Sequence, residues 1–184
     1  MTISIETERL ILRPFREDDL DALYSRILDD QEVARHLESG GPLPLKRTQR
    51  LLERFIMHWD DHDYGVWAVT DKGSGGLIGY CGLRDEVEPG GVGMTFALAK
   101  SYWGRGLGTE SAAAALRYGI TRLNIPRVIA LTRPENNVAR RLLSRIGMRY
   151  KQDVKHFEMK MALYIARRDR FTANSESVFL VHRT

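Results

Sequence analysis

The chain has 184 residues, of which 43% are hydrophobic, and this length suffices for one domain with a substantial core. Its single cysteine, Cys81, excludes an internal disulfide framework and is typical of a reducing cytoplasm, where we expect the protein to reside. A net charge of +4 favours polyanionic partners. The chain nevertheless shows neither the basic and aromatic interleaving of nucleic-acid binders nor an apolar run long enough to cross a membrane.

The first half of the chain predicts strands on either side of two helices. A strand is expected over 3–13, followed by a helix whose apolar positions are Leu20, Leu23, Tyr24, Ile27 and Leu28. A glycine- and proline-rich break at 40–44 precedes a second helix with the apolar stripe Leu51, Leu52, Phe55, Ile56 and Trp59. Strands then follow at 65–71, 76–84 and 91–100. Cys81 lies in the second of these, where a buried, inert thiol is expected.

The most informative segment is glycine-rich and opens a helix. It runs Trp103-Gly104-Arg105-Gly106-Leu107-Gly108-Thr109, and an alanine-rich apolar pattern at helical spacing follows it. Glycines allow a sharp turn and a close approach to a ligand. The unpaired N–H groups and positive dipole at the helix start bind anions, phosphates above all, and Arg105 adds a charge. The segment therefore predicts a phosphate-binding loop.

Two well-known phosphate loops do not fit this segment. The dinucleotide fingerprint G-x-G-x-x-G would need a glycine where Thr109 stands, and the P-loop would need a G-K-[ST] ending. A glycine-rich turn that merely joins a strand to a helix is the structural alternative.

The last third of the chain predicts a strand, a helix and a strand. The strand is expected at 127–133, a helix begins near Asn136, and apolar residues alternate at Phe157, Met159, Met161, Leu163 and Ile165. We expect one domain over 1–171 and a C-terminal extension over 172–184. In that extension, 178–181 are expected to pair as an edge strand or to reach a partner subunit.

A pair of histidines superficially resembles a metal site. His58 and His62 have the spacing of the H-E-x-x-H metalloprotease helix. Trp59 replaces the glutamate of that motif, and no third ligand is evident. We therefore expect no metal and read the two histidines as polar residues near a helix end.

Four segments in order resemble the GNAT superfamily, the GCN5-related N-acetyltransferases. The glycine loop resembles its pyrophosphate loop, with Trp103 at the usual Gln or Arg position. The opening Glu6-Thr7-Glu8-Arg9-Leu10 resembles its first strand, Ile78-Gly79-Tyr80-Cys81-Gly82-Leu83 its central strand, and 136–148 its last helix. The match covers about 5–170, and the branch resembled is that of the ribosomal-protein alanine and serine N-terminal acetyltransferases.

The resemblance implies a fold and a cofactor site. The fold is α/β, a mixed and strongly twisted sheet with helices on both faces, and the cofactor lies where the strand at 91–100 parts from that at 127–133. The co-substrate is acetyl-CoA, without a metal. The residues expected to bind it are Phe96, Ala97, Leu98, Gly104, Arg105, Gly106, Leu107, Gly108, Thr109, Asn136 and Arg140; backbone groups of the first three would pair with the pantetheine arm.

The sequence departs from the family at the catalytic positions. Gly93 stands where a glutamate often relays the amine proton, Leu143 where a tyrosine often serves the leaving thiolate, and Ala139 where the ribosomal-protein branch has serine. Glu86 is our substitute base, with a solvated loop acid as the alternative. Asn136 is expected to position the thioester or pantetheine, or simply to cap the helix.

Together these features predict an acetyl-CoA-dependent N-acetyltransferase. The acceptor is expected to be the α-amine of a peptide or a small amine, which attacks the thioester of acetyl-CoA directly in a ternary complex. The protein is expected to be a monomer or a homodimer. The alternative is a non-catalytic acyl-CoA-binding or regulatory module of the same fold.

Overall fold

The computed structural model describes residues 3–86, 91–171 and 180–183, except the side chain of Glu86. The expected strand at 3–13 is in fact a hairpin, β1 (Ile3–Glu6) and β2 (Leu10–Pro14). The chain turns between them because the Thr7 hydroxyl bonds both the N–H and the carbonyl of Leu10, at 3.1 and 3.3 Å.

The predicted first helix is short and irregular. A 3-10 turn over Glu17–Asp19 leads into α1 (Leu20–Leu23), which continues as π-type turns over Tyr24–Leu28. A further short helix, α2 (Gln31–Ala34), was not predicted, whereas α3 (Leu45–Asp61) is the expected second helix.

The remaining elements agree with the predicted order, with one addition. They are β3 (Val66–Asp71), β4 (Leu77–Glu86), β5 (Gly91–Leu98), α4 (Leu107–Arg117), β6 (Arg127–Thr132), α5 (Asn137–Arg145), β7 (Arg149–His156), β8 (Met159–Arg167) and β9 (Leu180–Arg183). The addition is β7. Phe157, expected within a strand, instead lies in the β7–β8 turn with φ 44°.

The strands of the described residues form one sheet in the order β7-β8-β6-β5-β4-β3-β2-β1-β9. Only β5 and β6 pair in parallel; the other neighbours are antiparallel. β9 pairs with β1, so the part of the C-terminal extension that is described forms an edge strand, while 178 and 179 lie outside the described residues.

Helices cover both faces of the sheet, as predicted. On one face, α4 and α5 contribute Ala112, Leu116 and Leu143 to the larger core. On the other face, α1 and α3 contribute Leu23 and Phe55 to a second core. The predicted mixed α/β fold is therefore confirmed. Among the described residues, no helix is long and apolar enough to cross a membrane.

Candidate functional site

A cleft opens in the middle of the sheet because β5 and β6 separate. The two strands pair only from Val92 to Met94 against Val128 to Ala130. Beyond that point β5 stays paired with β4, and β6 stays paired with β8. The opening continues into a cleft of about 1250 Å³ lined by residues from both faces of the sheet.

Backbone groups of β5 are exposed to this opening in alternation. The N–H of Ala99 donates to Ile78 of β4 at 2.8 Å, so residues 99 and 97 turn their backbone groups towards β4. Phe96 and Leu98 therefore direct theirs into the opening. Ala97 directs its backbone groups towards β4 and also lines the cleft. The expected pairing of residues 96–98 with the pantetheine arm stays a prediction.

The glycine loop ends at the mouth of the cleft. Gly104 and Gly106 have φ of 73° and 77°, a conformation that other residues rarely adopt, and Gly106 is the N-cap of α4. The first helical bond runs from the N–H of Glu110 to the carbonyl of Gly106. The N–H groups of Leu107, Gly108 and Thr109 consequently have no partner within the helix, and all three residues line the cleft.

Trp103 has a specific role that the sequence did not reveal. Its indole N–H donates to the carbonyl of Leu98 at 2.8 Å, which ties the loop to the end of β5. Its ring, 41% exposed, lies 6.2 Å from the imidazole of His36 between ring centroids. Trp103 therefore joins the loop to the far wall of the cleft.

The hairpin of β1 and β2 holds the glycine loop and the start of α4 through hydrogen bonds. Glu110, in the first turn of α4, accepts hydrogen bonds from the Thr7 hydroxyl at 2.6 Å, the Arg9 N–H at 2.8 Å and the Arg9 guanidinium at 2.7 Å. Arg9 also donates to the carbonyl of Arg105 at 2.8 Å. Two sequence segments that were singled out separately, 6–10 and 103–110, thus form one structural unit.

Removing the charge of Glu110 is expected to loosen this unit. Burial raises the pKa of Glu110, but the donors of Thr7 and Arg9 outweigh it and hold the pKa below its ordinary value of 4.5. Its stabilising contribution is therefore complete above pH 4.5 and is lost as the pH falls further. Charged hydrogen bonds contribute about 1.5–3 kcal/mol, so Glu110→Gln should lower Tm at pH 7 by roughly 3–12 °C.

The measurement is thermal unfolding of both proteins between pH 3 and pH 7. The gap in Tm should shrink below pH 4.5, where the wild-type carboxylate also protonates. Asp169→Asn is the control: its ion pair with Arg167 has side chains 62% and 60% exposed, and it should shift Tm by less than about 2 °C. A gap for Glu110→Gln that persists undiminished at pH 3 would contradict the assignment.

Asn136 is the N-cap of α5, which is one of the two roles expected for it, the other being to position the thioester or pantetheine. Its side-chain oxygen accepts from the N–H of Ala139 at 3.1 Å. The side-chain NH₂ has no hydrogen bond to a described residue, and Asn136 lines the cleft. Capping and a contact to a ligand are therefore compatible in this geometry.

The arginine expected to bind the cofactor is engaged elsewhere. Arg140 donates to the Tyr164 hydroxyl and to the Pro134 carbonyl, both at 3.1 Å, and it is not among the described residues that line the cleft. Arg141 and Arg145 line it instead, and a contact between Arg140 and the cofactor stays a prediction. Arg105 does not line the cleft either; its guanidinium lies 5.3 Å from the Tyr102 ring centroid.

The substitute base cannot be placed from its side chain, which lies outside the described residues. The backbone of Glu86 pairs with Gly91. Gly91 lies four residues before Thr95, a residue of β5 that lines the cleft, which corresponds to about 13 Å along the strand.

The other positions at which the sequence departs from the family are buried. Leu143 is fully buried, and Ala139 is 8% exposed. Cys81 is also buried, and burial raises the pKa of its thiol to about 12.

Sequence reasoning named none of the residues described here on the far wall of the cleft as a site residue. The wall contains Glu38, whose carboxylate forms an ion pair with Arg84, and His36, whose pKa is lowered by burial and by Arg35. Asp85 is held by the Tyr64 hydroxyl at 2.6 Å and by His62 at 3.1 Å.

The two histidines at metalloprotease spacing lie side by side. His58 and His62 stack with ring centroids 4.3 Å apart, and no candidate metal-binding cluster occurs among the described residues.

Comparisons with known proteins agree with this geometry. Residues 9–149 match the family model of the acetyltransferase (GNAT) domain. Protein YkkB of Bacillus subtilis is 28% identical over 165 residues, covering 86% of this chain and 92% of its own length. N-acetyltransferase p20 of Bacillus licheniformis is 24% identical over 156 residues, covering 84% and 87%.

Solved structures share the fold. An acetyltransferase (GNAT family) from Bacillus anthracis superposes with a TM-score of 0.77 at 21% identity, covering 90% of this chain and 99% of its own. RimL, a ribosomal alpha-N-protein acetyltransferase in complex with coenzyme A, superposes with a TM-score of 0.72 at 16% identity, covering 88% and 98%. With its sheet, its glycine loop and the family match over most of its length, the chain belongs to the GNAT acetyltransferases.

Proposed function

We propose that the cleft binds acetyl-CoA and transfers its acetyl group directly to an amine, either the α-amine of a peptide or a small amine. The observation that carries this proposal is the parting of β5 and β6 beside the free N–H groups of α4. A pyrophosphate fits the start of α4, where Gly104 and Gly106 leave no Cβ in its way. Arg141, which also lines the cleft, would add a positive charge near the phosphates.

The strand edge holds the rest of the donor. Phe96 offers its backbone N–H and carbonyl, and Leu98 its N–H, to an extended amide chain, which would pair with β5 as another strand does. The Leu98 carbonyl already accepts from the Trp103 indole. Bound in this way, acetyl-CoA supplies a thioester carbonyl activated towards nucleophiles. The NH₂ group of Asn136, beside the same opening, is available to orient the donor.

The chain supports a direct transfer rather than an acyl-enzyme. Cys81, the single cysteine, is buried, and its raised pKa keeps it protonated and unreactive near neutral pH. The amine therefore attacks the thioester carbon itself: a C–N bond forms, the C–S bond breaks, and the amine proton passes to solvent or to a nearby base. The thiolate leaves without a tyrosine, because Leu143 occupies that position.

Variants of Asn136 test the proposed function. Aspartate caps a helix as well as asparagine, so Asn136→Asp should keep Tm, while Asn136→Ala should lose about 1 kcal/mol and 2–4 °C. Both lack the amide donor, and both should lose about tenfold in kcat/KM, the effect of roughly one hydrogen bond.

The measurements are release of free thiol from acetyl-CoA with a panel of peptides and small amines, and thermal unfolding of each variant. Wild-type protein should release thiol only when an amine is present. Binding of CoA without any release of thiol would point instead to a non-catalytic binding module. Full activity in Asn136→Asp would restrict Asn136 to its capping role.

A further inference from the structure

Helix α3 presents a row of three arginines to the cleft. Arg47, Arg50 and Arg54 are separated by three and four residues, so they lie on one face of the helix, and all three line the cleft. All three side chains are exposed to solvent. They come from the face of the sheet opposite α4 and α5, which hold the proposed phosphate-binding groups.

The three arginines of the row form no polar contacts that would stabilise the fold within the described part of the chain. None of the three arginines has an ion pair or hydrogen bond with a described residue. Other arginines are engaged: Arg13 donates to both carboxylate oxygens of Asp19 at 2.7 and 2.8 Å, and Arg84 pairs with Glu38. Like charges three and four residues apart on a helix repel one another. A row that weakens its own helix slightly is expected to serve a ligand.

The cleft as a whole carries an excess of positive charge. Its described lining includes seven arginines and three acidic residues. Two of those acids are already neutralised or held, Glu38 by Arg84 and Asp85 by Tyr64 and His62. Arg47, Arg50 and Arg54 therefore remain available on the wall opposite the proposed donor site.

We propose that this row selects an amine acceptor that carries carboxylate or phosphate groups close to its amine. The inference rests on the proposed function, because it assigns the second substrate of the same cleft. From Arg47 to Arg54 the helix rises about 10 Å, which is the span of three residues of extended chain. The row is thus long enough to meet two or three negative charges at once, and guanidinium groups pair well with both kinds of anion.

Binding of matched peptides to the CoA-saturated protein tests the proposal without requiring turnover. The probes are Ala-Asp-Glu-Asp-Ala and Ala-Asn-Gln-Asn-Ala, both with amidated C-termini, measured by calorimetry. The acidic peptide should bind at least about tenfold more tightly at low salt, and the preference should fall as NaCl rises from about 0.05 to about 0.5 M.

Substitutions then assign the preference to the row. Each of Arg47→Gln, Arg50→Gln and Arg54→Gln should weaken binding of the acidic peptide about threefold, and Arg50→Gln with Arg54→Gln about tenfold, with no change for the neutral peptide. Lys46→Gln is the matched control: it removes the same charge from an exposed position of α3 that is not part of the cleft lining. The affinity for CoA should remain that of the wild type in all of them.

Transfer assays separate the sources of the charge. Aspartate, O-phosphoethanolamine and the acidic peptide are compared as acceptors, to tell a carboxylate from a phosphate. For the preferred acceptor, KM should rise in the Arg50→Gln, Arg54→Gln double variant by about the factor by which that variant loses affinity for the acidic peptide. Equal binding of acidic and neutral peptides overturns the proposal, as does a loss of CoA affinity in the double variant with peptide binding unchanged.

These outcomes are distinct from failure of the proposed function. If acidic peptides bind through the row but no acetyl transfer occurs to any amine, the anion site stands and the proposed function fails. If neutral amines are acetylated as fast as acidic ones, the function stands and the anion site fails.

Discussion

Replacing Gly106 with valine is expected to weaken binding of CoA by about a hundredfold while leaving a folded protein. Gly106 caps α4 with φ 77°, a conformation that strains a residue with a side chain by about 1–2 kcal/mol. A Cβ there would meet only the Arg9 guanidinium at 3.5 Å, so the fold itself accommodates it. The rest of the side chain would stand over the free N–H groups of Leu107 and Gly108. A hundredfold loss corresponds to about 2.7 kcal/mol, or one to two charged hydrogen bonds.

Gly75→Val is the matched control for this experiment. Gly75, in the turn between β3 and β4, has φ 69° and no atom within 4 Å of the position of a Cβ. It should therefore suffer a similar strain, and a similar loss of Tm, without any change in CoA affinity by calorimetry. A Gly106→Val protein that melts like Gly75→Val and still binds CoA like the wild type would show that the start of α4 does not hold the phosphates.

Local sequence patterns were sufficient for much of this site. The glycine loop, the start of α4 and the separation of β5 from β6 were all anticipated, because glycine spacing, helical periodicity and the resemblance agreed there. Gly104 and Gly106 indeed take the conformation that only glycine adopts readily. Asn136 was likewise recognisable, since a cap is defined by its immediate neighbours.

Contacts between distant segments were not readable in the same way. Thr7, Arg9 and Glu110 meet although about a hundred residues separate them, and no periodicity relates the two segments. The strand β7 escaped prediction because most of its side chains are exposed, which removes the alternation that marks a half-buried strand. Arg140 and Arg141 differ by one position of a helix, and only the packing of α5 decides which of them faces the cleft.

The residues of the acceptor side were not identified from the sequence, for a different reason. The arginine row of α3 is visible in the sequence at helical spacing, but an exposed basic face is usually a solvated surface. Its meaning depends on the cleft beside it, which is formed by two strands further along the chain, β5 and β6. His36 and Glu38 lie in an irregular segment after α2 and had no pattern at all.

The protonation state of the acceptor should have the largest effect on rate. At Gly93 the chain offers no side chain where the resemblance to the family implies a carboxylate, and Gly93 is paired with Arg84 and Ile129 in the middle of the sheet. The amine must then lose its proton largely without help. An α-amine has a pKa of about 7.7–8.0 and a lysine amine about 10.4, so the neutral fraction at pH 7 differs by about 300-fold.

We therefore expect α-amines to be acetylated faster than lysine side chains at pH 7, by about thirtyfold or more. The more basic lysine amine is the better nucleophile once neutral, which offsets part of the difference in free base. The rate for the α-amine should rise about tenfold per pH unit up to pH 7 and level off near pH 8. The lysine rate should continue to rise towards pH 10, so that the preference narrows with increasing pH.

The measurement is the steady-state rate between pH 6 and pH 10 for two peptides of one sequence. One has a free N-terminus and no lysine; the other has a blocked N-terminus and one lysine. Glu86→Gln supplies the internal comparison. If Glu86 relays the proton, the wild-type rate rises less than tenfold per pH unit and Glu86→Gln restores the tenfold slope for both peptides. If Glu86 is a solvated acid, neither profile changes. Faster acetylation of the lysine peptide at pH 7 would contradict the preference, because it would require a strong base within reach of the amine that neither Gly93 nor Leu143 can provide.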